Sequence, residues 1–130
     1  DRKAPEVSLR PLGEAADLLA MTRSLEDVEV DEDLLDYVVR IVTGTRDHAQ
    51  TMVGASPRGG LAILALARGR AVLAGRAFVT PDDVKQVAAP ALGHRLVLRP
   101  ELWVRRVSGD DVVAEVLESV EPPPTRPGTS

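Results

Sequence analysis

The chain has 130 residues, 44% of them hydrophobic, and a net charge of −4. That size suits one domain with its own core, and the acidity argues against a dedicated nucleic-acid binder. With no cysteine, disulfides, zinc–thiolate centres and cysteine nucleophiles are excluded, and a reducing, cytoplasmic setting is the expectation.

The only aromatics are Tyr37, Phe78 and Trp103. Leu, Val, Ile and Ala must therefore build the core, which predicts an all-α fold: a small bundle of about five helices. No apolar run approaches the ~20 residues of a membrane span, and Asp1-Arg2-Lys3-Ala4-Pro5 does not open a signal peptide. Charge is uneven. Nine acids and one arginine lie between Glu14 and Asp36, whereas six arginines and one acid lie between Arg40 and Arg76.

Residues 1–13 read as a lead-in. A helix is expected from about Glu14 to Leu25, with Leu18, Leu19, Met21 and Leu25 as its apolar side. Val28-Glu29-Val30 alternates but is too short to stand alone as a sheet. Asp31 caps a second helix, whose buried face is predicted to be Leu34, Leu35, Val38, Ile41 and Val42. Residues 47–53 read as an irregular loop. The third helix is expected from Pro57 to about Ala74, with Leu61, Leu64, Ala65, Ala71 and Val72 as candidates for its buried side and Gly75 as its stop.

Thr80-Pro81-Asp82-Asp83 starts a fourth helix carrying Val84, Val87, Ala88 and Leu92. Its lead-in repeats that of the second helix, which predicts a minor two-strand pairing near Val30 and Val79. Leu96 and Leu98 alternate as in a strand or an extended segment. Ser108 or Asp110 caps a last helix through Val112, Val113, Val116, Leu117 and Val120. Residues 121–130, rich in proline, read as a disordered tail.

No catalytic set is present. There is no His-Glu-x-x-His, no metal-ligand spacing about His48 or His94, and no Gly-x-Ser-x-Gly elbow. The acids at Asp31–Asp36 do not follow a calcium-loop pattern and read as a solvated helix start. One stretch stands out: Gly54-Ala55-Ser56-Pro57-Arg58-Gly59-Gly60. Ser56 suits an N-cap and Pro57 the first helical position. Arg58 then places a cation where the helix dipole favours an acid. Beside free backbone N–H groups, that cation makes sense if an anion arrives, and Gly59 and Gly60 keep the helix mouth bare. A capped core helix whose Arg58 points into water is the other reading.

In order along the chain stand Val28-Glu29-Val30-Asp31, Tyr37-Val38-Val39-Arg40-Ile41-Val42 with Thr45-Arg46, and Gly54-Ala55-Ser56-Pro57-Arg58-Gly59. There follow Ala71-Val72-Leu73-Ala74-Gly75-Arg76, Val79-Thr80-Pro81-Asp82-Asp83-Val84 and His94-Arg95-Leu96. Together these blocks, covering roughly residues 9–98, resemble the C-terminal lid domain of MoxR-type AAA+ ATPases. The resemblance implies a lid over residues 14–120, with residues 1–13 leading in from an ATPase core.

It implies that Arg58, with Ser56, Pro57 and Gly59 at the helix start, is the sensor-2 position that reaches the phosphates of ATP. In the full-length protein it implies ATP and Mg as cofactors. The implied partners are that protein's own core, neighbouring subunits of a hexameric ring and a protein carrying a von Willebrand factor A domain. No Walker motif lies in these 130 residues, so the lid alone is expected not to hydrolyse ATP. A helical protein–protein interaction domain without a nucleotide role is the alternative.

Overall fold

The structure, a computed structural model, describes residues 16–124 apart from 18, 21, 22, 24, 103 and 104. The lead-in, Trp103 and the last six tail residues therefore lie outside the described residues. Four α-helices have complete bounds: α1 (Glu32–Asp47), α2 (Pro57–Leu73), α3 (Pro81–Leu92) and α4 (Gly109–Ser119). Further helical backbone occurs at 16, 17, 19, 20, 23 and 25–27. Two short strands, β1 (Thr51–Val53) and β2 (Val97–Leu98), pair antiparallel. The fold is the expected mostly helical bundle.

Local chemistry sets the helix ends. The Asp31 carboxylate accepts the Leu34 N–H at 2.9 Å and caps α1. Thr80 with Asp83, and Ser108 with Asp111, form reciprocal capping boxes at the starts of α3 and α4. At the end of α2, Arg76 N–H reaches Ala71 O and Gly75 N–H reaches Val72 O, a Schellman closure. The closure needs a left-handed residue, and Gly75 supplies it with φ +75°.

The core is aliphatic, as composition required. Tyr37, Ile41, Ile63, Val84, Leu92, Val112 and Val113 are wholly buried at its centre. Two buried faces differ from expectation. On α1, Leu35 is exposed and Tyr37 takes the buried place. On α2 the buried residues are Gly59, Ile63, Ala67 and Ala71, in steps of four, whereas Leu61 is 66% exposed and Ala65 faces water. Apolar side chains surround α2 on every side, so periodicity could not select the inward face.

The pairing expected near Val30 and Val79 is a single parallel bridge between Glu29 and Phe78. Glu29 N–H donates to Ala77 O at 2.8 Å, and Val79 N–H donates to Glu29 O at 2.9 Å. The antiparallel pair lies elsewhere. It recruits Thr51–Val53, which read as loop, because β2 arrives beside it from more than forty residues further along. Strand propensity over three residues cannot reveal such a partner.

Candidate functional site

The loop from Gly54 to Ser56 is held from α1. Thr45 is fully buried, and its hydroxyl donates to Val42 O at 2.7 Å and accepts the Ala55 N–H at 3.1 Å. Gly54 packs against the Arg46 backbone so closely that a Cβ would stand 2.4 Å from Arg46 Cα. Only glycine fits there. Two adjacent residues at the end of α1 thus set where α2 begins.

Among the four bounded helices, α2 has the one N-cap without a side-chain hydrogen bond. Ser56 takes the extended N-cap conformation, but its hydroxyl caps nothing. Gly59 N–H is satisfied by Ser56 O at 2.8 Å. Pro57 follows at the first helical position, and the first turn contains no acid. The mouth of α2 therefore keeps its positive dipole end without a local anion.

Arg58 is exposed in that first turn and has no hydrogen-bond or ion-pair partner among the described residues. Five other arginines are engaged, whereas Arg23, Arg46, Arg68, Arg105 and Arg106 share with Arg58 the lack of a partner among the described residues. Arg40 pairs with Asp36, Arg70 with Asp82 and Asp83, and Arg76 with Asp83. Arg95 and Arg99 donate to the carbonyls of Ala91 and Ala49, each at 2.9 Å.

Gly59 does not widen the mouth as its sequence context suggested. It is buried, and a Cβ there would meet Leu92 Cδ2 at 2.7 Å and Ala55 Cβ at 3.3 Å. Its lack of a side chain lets the first turn of α2 pack onto the end of α3. Arg95 is a neighbour that the sequence did not reveal: its Cδ lies 3.9 Å from the same Cβ position. Ser56, Pro57, Arg58 and Gly59 thus share one helix start, with Arg95 brought to its side by the fold.

At the far end of α2 a second electrostatic cluster forms. Asp83 has a side chain only 1% exposed, held by Arg76 and Arg70. Burial alone would raise its carboxyl pKa, but hydrogen bonds from Arg76 and the Thr80 backbone hold it below the usual carboxylate range. The cluster joins the ends of α2 and α3 and is structural. Among the described residues no group of three His, Cys, Asp or Glu side chains gathers to hold a metal ion. No helix among them is long and apolar enough to cross a membrane.

A profile of the AAA lid domain family matches residues 43–116. The chain belongs to the AAA lid domain family. Its relatives place it as a C-terminal lid of the MoxR type. The lid is 38% identical over 116 residues to Chaperone MoxR1 of Mycobacterium tuberculosis, covering 82% of this chain and 31% of that protein. It is 32% identical over 126 residues to YeaC of Bacillus subtilis, covering 97% of this chain and 39% of that protein. In three dimensions it resembles a protein of Cytophaga hutchinsonii assigned as an ATPase, with a TM-score of 0.79 and 25% identity. That match covers 84% of this chain and 36% of the other. The lid spans well under half the length of these proteins.

Proposed function

We propose that this domain is the nucleotide-sensing lid of a MoxR-type AAA+ ATPase, and that Arg58 contacts the phosphates of ATP bound to the ATPase core. One observation carries the reading: an exposed arginine without a partner among the described residues stands at an uncapped helix start, in a family of ATPase lids. An arginine stays charged and can hold two phosphate oxygens at once, and free N–H groups and the helix dipole favour the same anion.

The lid supplies one cation and one helix mouth. It carries no phosphate-cradling loop, so ATP and its Mg belong to the core, which also supplies the ligands and the attacking water. Arg58 binds negative charge that develops during phosphoryl transfer, and its fixed place on α2 links that charge to the position of the whole bundle. Movement of the lid and hydrolysis are coupled through this contact. The full-length protein then works as a chaperone-like ring in the cytoplasm, with neighbouring subunits and a von Willebrand factor A domain protein as partners. ATP hydrolysis by the full-length protein carrying Arg58→Ala, with Arg58→Lys beside it, tests the assignment.

A further inference from the structure

Arg95 closes the short 3-10 turn Gly93–Arg95 that follows α3. Its Nε donates to Ala91 O at 2.9 Å, a carbonyl in the last turn of α3. Its Cδ lies 3.9 Å from where a Cβ on Gly59 would stand, so its stem runs beside the first turn of α2. One edge of the guanidinium is thus fixed, while neither Nη atom has a hydrogen-bond or ion-pair partner among the described residues. The turn that carries it is fixed as well. The backbones of Gly93 and Gly109 touch so closely that a Cβ on Gly109 would run into Gly93 O.

Capping of α3 accounts for only part of this arrangement. A cation there satisfies a carbonyl and suits the negative end of the α3 dipole. The same place sets it beside Gly59, the neighbour of Arg58, at the positive start of α2, where the first turn holds no acid. Asp110 rests its carboxylate against Gly93 but makes no ion pair with Arg95. Two arginines and a helix start, all positive, therefore share one corner without a counter-ion from the described residues. Such groups repel one another unless an anion is shared among them.

We propose that Arg95 is a second phosphate-binding residue of the lid, whose Nη atoms hold the same phosphate group as Arg58 from the side of α3. The proposal rests on the nucleotide-sensing reading above and adds a residue to it. With Nε spent on Ala91, the guanidinium still presents Nη donors to phosphate oxygens, and its orientation is set before the anion arrives. Two fixed cations respond to total phosphate charge, so the corner favours a nucleoside triphosphate over the diphosphate.

The test is steady-state ATP turnover of the full-length protein, with ADP as a competing inhibitor. The variants are Arg95→Gln, Arg95→Lys and, as a control for lost charge, Arg105→Gln in the exposed turn before α4. Arg95→Gln is expected to lower kcat/KM for ATP roughly tenfold and to weaken ADP inhibition by a smaller factor. Arg95→Lys should recover part of the loss, and Arg105→Gln should match the unaltered protein. In an Arg58→Ala background Arg95→Gln should cost much less than tenfold, because two groups on one phosphate do not act independently. A residue that only caps α3 costs the same factor with or without Arg58, and affects ATP and ADP alike; either result overturns the proposal. Undiminished turnover in Arg58→Ala overturns both readings. A drop in Arg58→Ala beside native kcat/KM in Arg95→Gln overturns the role of Arg95 alone.

Discussion

The Arg76 guanidinium grips both carboxylate oxygens of Asp83, at 2.6 and 2.8 Å, in a place where Asp83 is almost entirely sealed from water. Asp83 also accepts the Thr80 N–H at 2.9 Å, and Arg76 donates to Phe78 O at 2.9 Å. The pair therefore ties the end of α2, the Glu29–Phe78 bridge and the start of α3 together. Removing Arg76 strands the sealed Asp83 carboxylate, which keeps only Arg70 and the cap of α3. Arg76→Ala is expected to lower lid stability by about 3 kcal/mol, read from urea unfolding. A loss below about 1 kcal/mol would show that water screens the pair.

The same carboxyl makes stability depend on pH. Burial raises its pKa, but Arg76 and Thr80 outweigh burial and the net shift is downward. A lowered folded-state pKa means that the contribution is complete above the unfolded value of about 3.9 and is lost as pH falls through the folded value. The melting temperature of the native lid should therefore fall more steeply below about pH 4 than that of Asp83→Asn. Parallel melting profiles for the two would contradict the linkage.

Adjacent glycines in α2 should respond with opposite sign. A methyl at Gly59 meets the fully buried Leu92 at 2.7 Å, whereas one at Gly60 meets Val38 and Val42 at 3.6 Å. Gly59→Ala is expected to cost about 1 kcal/mol or more by overpacking. Gly60→Ala is expected to gain about 0.5 kcal/mol by restricting the unfolded chain. Thermal melts of the two variants decide it.

Stability and activity should separate at the α2 cap. Ser56 makes no side-chain cap bond, so Ser56→Asp places a carboxylate against free N–H groups and is expected to stabilise the lid by about 0.5 kcal/mol. The same carboxylate repels phosphate and competes for Arg58, so ATP turnover of the full-length protein should fall. A stabler lid with full turnover would mean that phosphate does not approach this mouth.

Capping chemistry was legible in the sequence, because Asp31, Thr80, Ser108 and Gly75 act on neighbours within a few residues. Aliphatic composition likewise announced a helical core. The buried face of α2 was not legible, since Leu61 and Ile63 are equivalent until a neighbouring helix chooses between them. Pairing of Thr51 with Leu98 and the hold of Thr45 on Ala55 depend on chain segments meeting in space. At the site, the oddity of Arg58 was visible from helix electrostatics alone. The packing role of Gly59 and the approach of Arg95 were invisible, because both depend on where α3 ends.

The central claim is that Arg58 contacts phosphate, and steady-state ATP turnover of the full-length protein with Arg58→Ala tests it most directly. Arg58 is exposed and unpartnered among the described residues, so its removal should leave the lid's melting temperature unchanged. Turnover is expected to drop on the order of a hundredfold, as for loss of one charge-stabilising donor, with only partial recovery in Arg58→Lys. Turnover equal to that of the unaltered protein, with the lid folded, would contradict the claim.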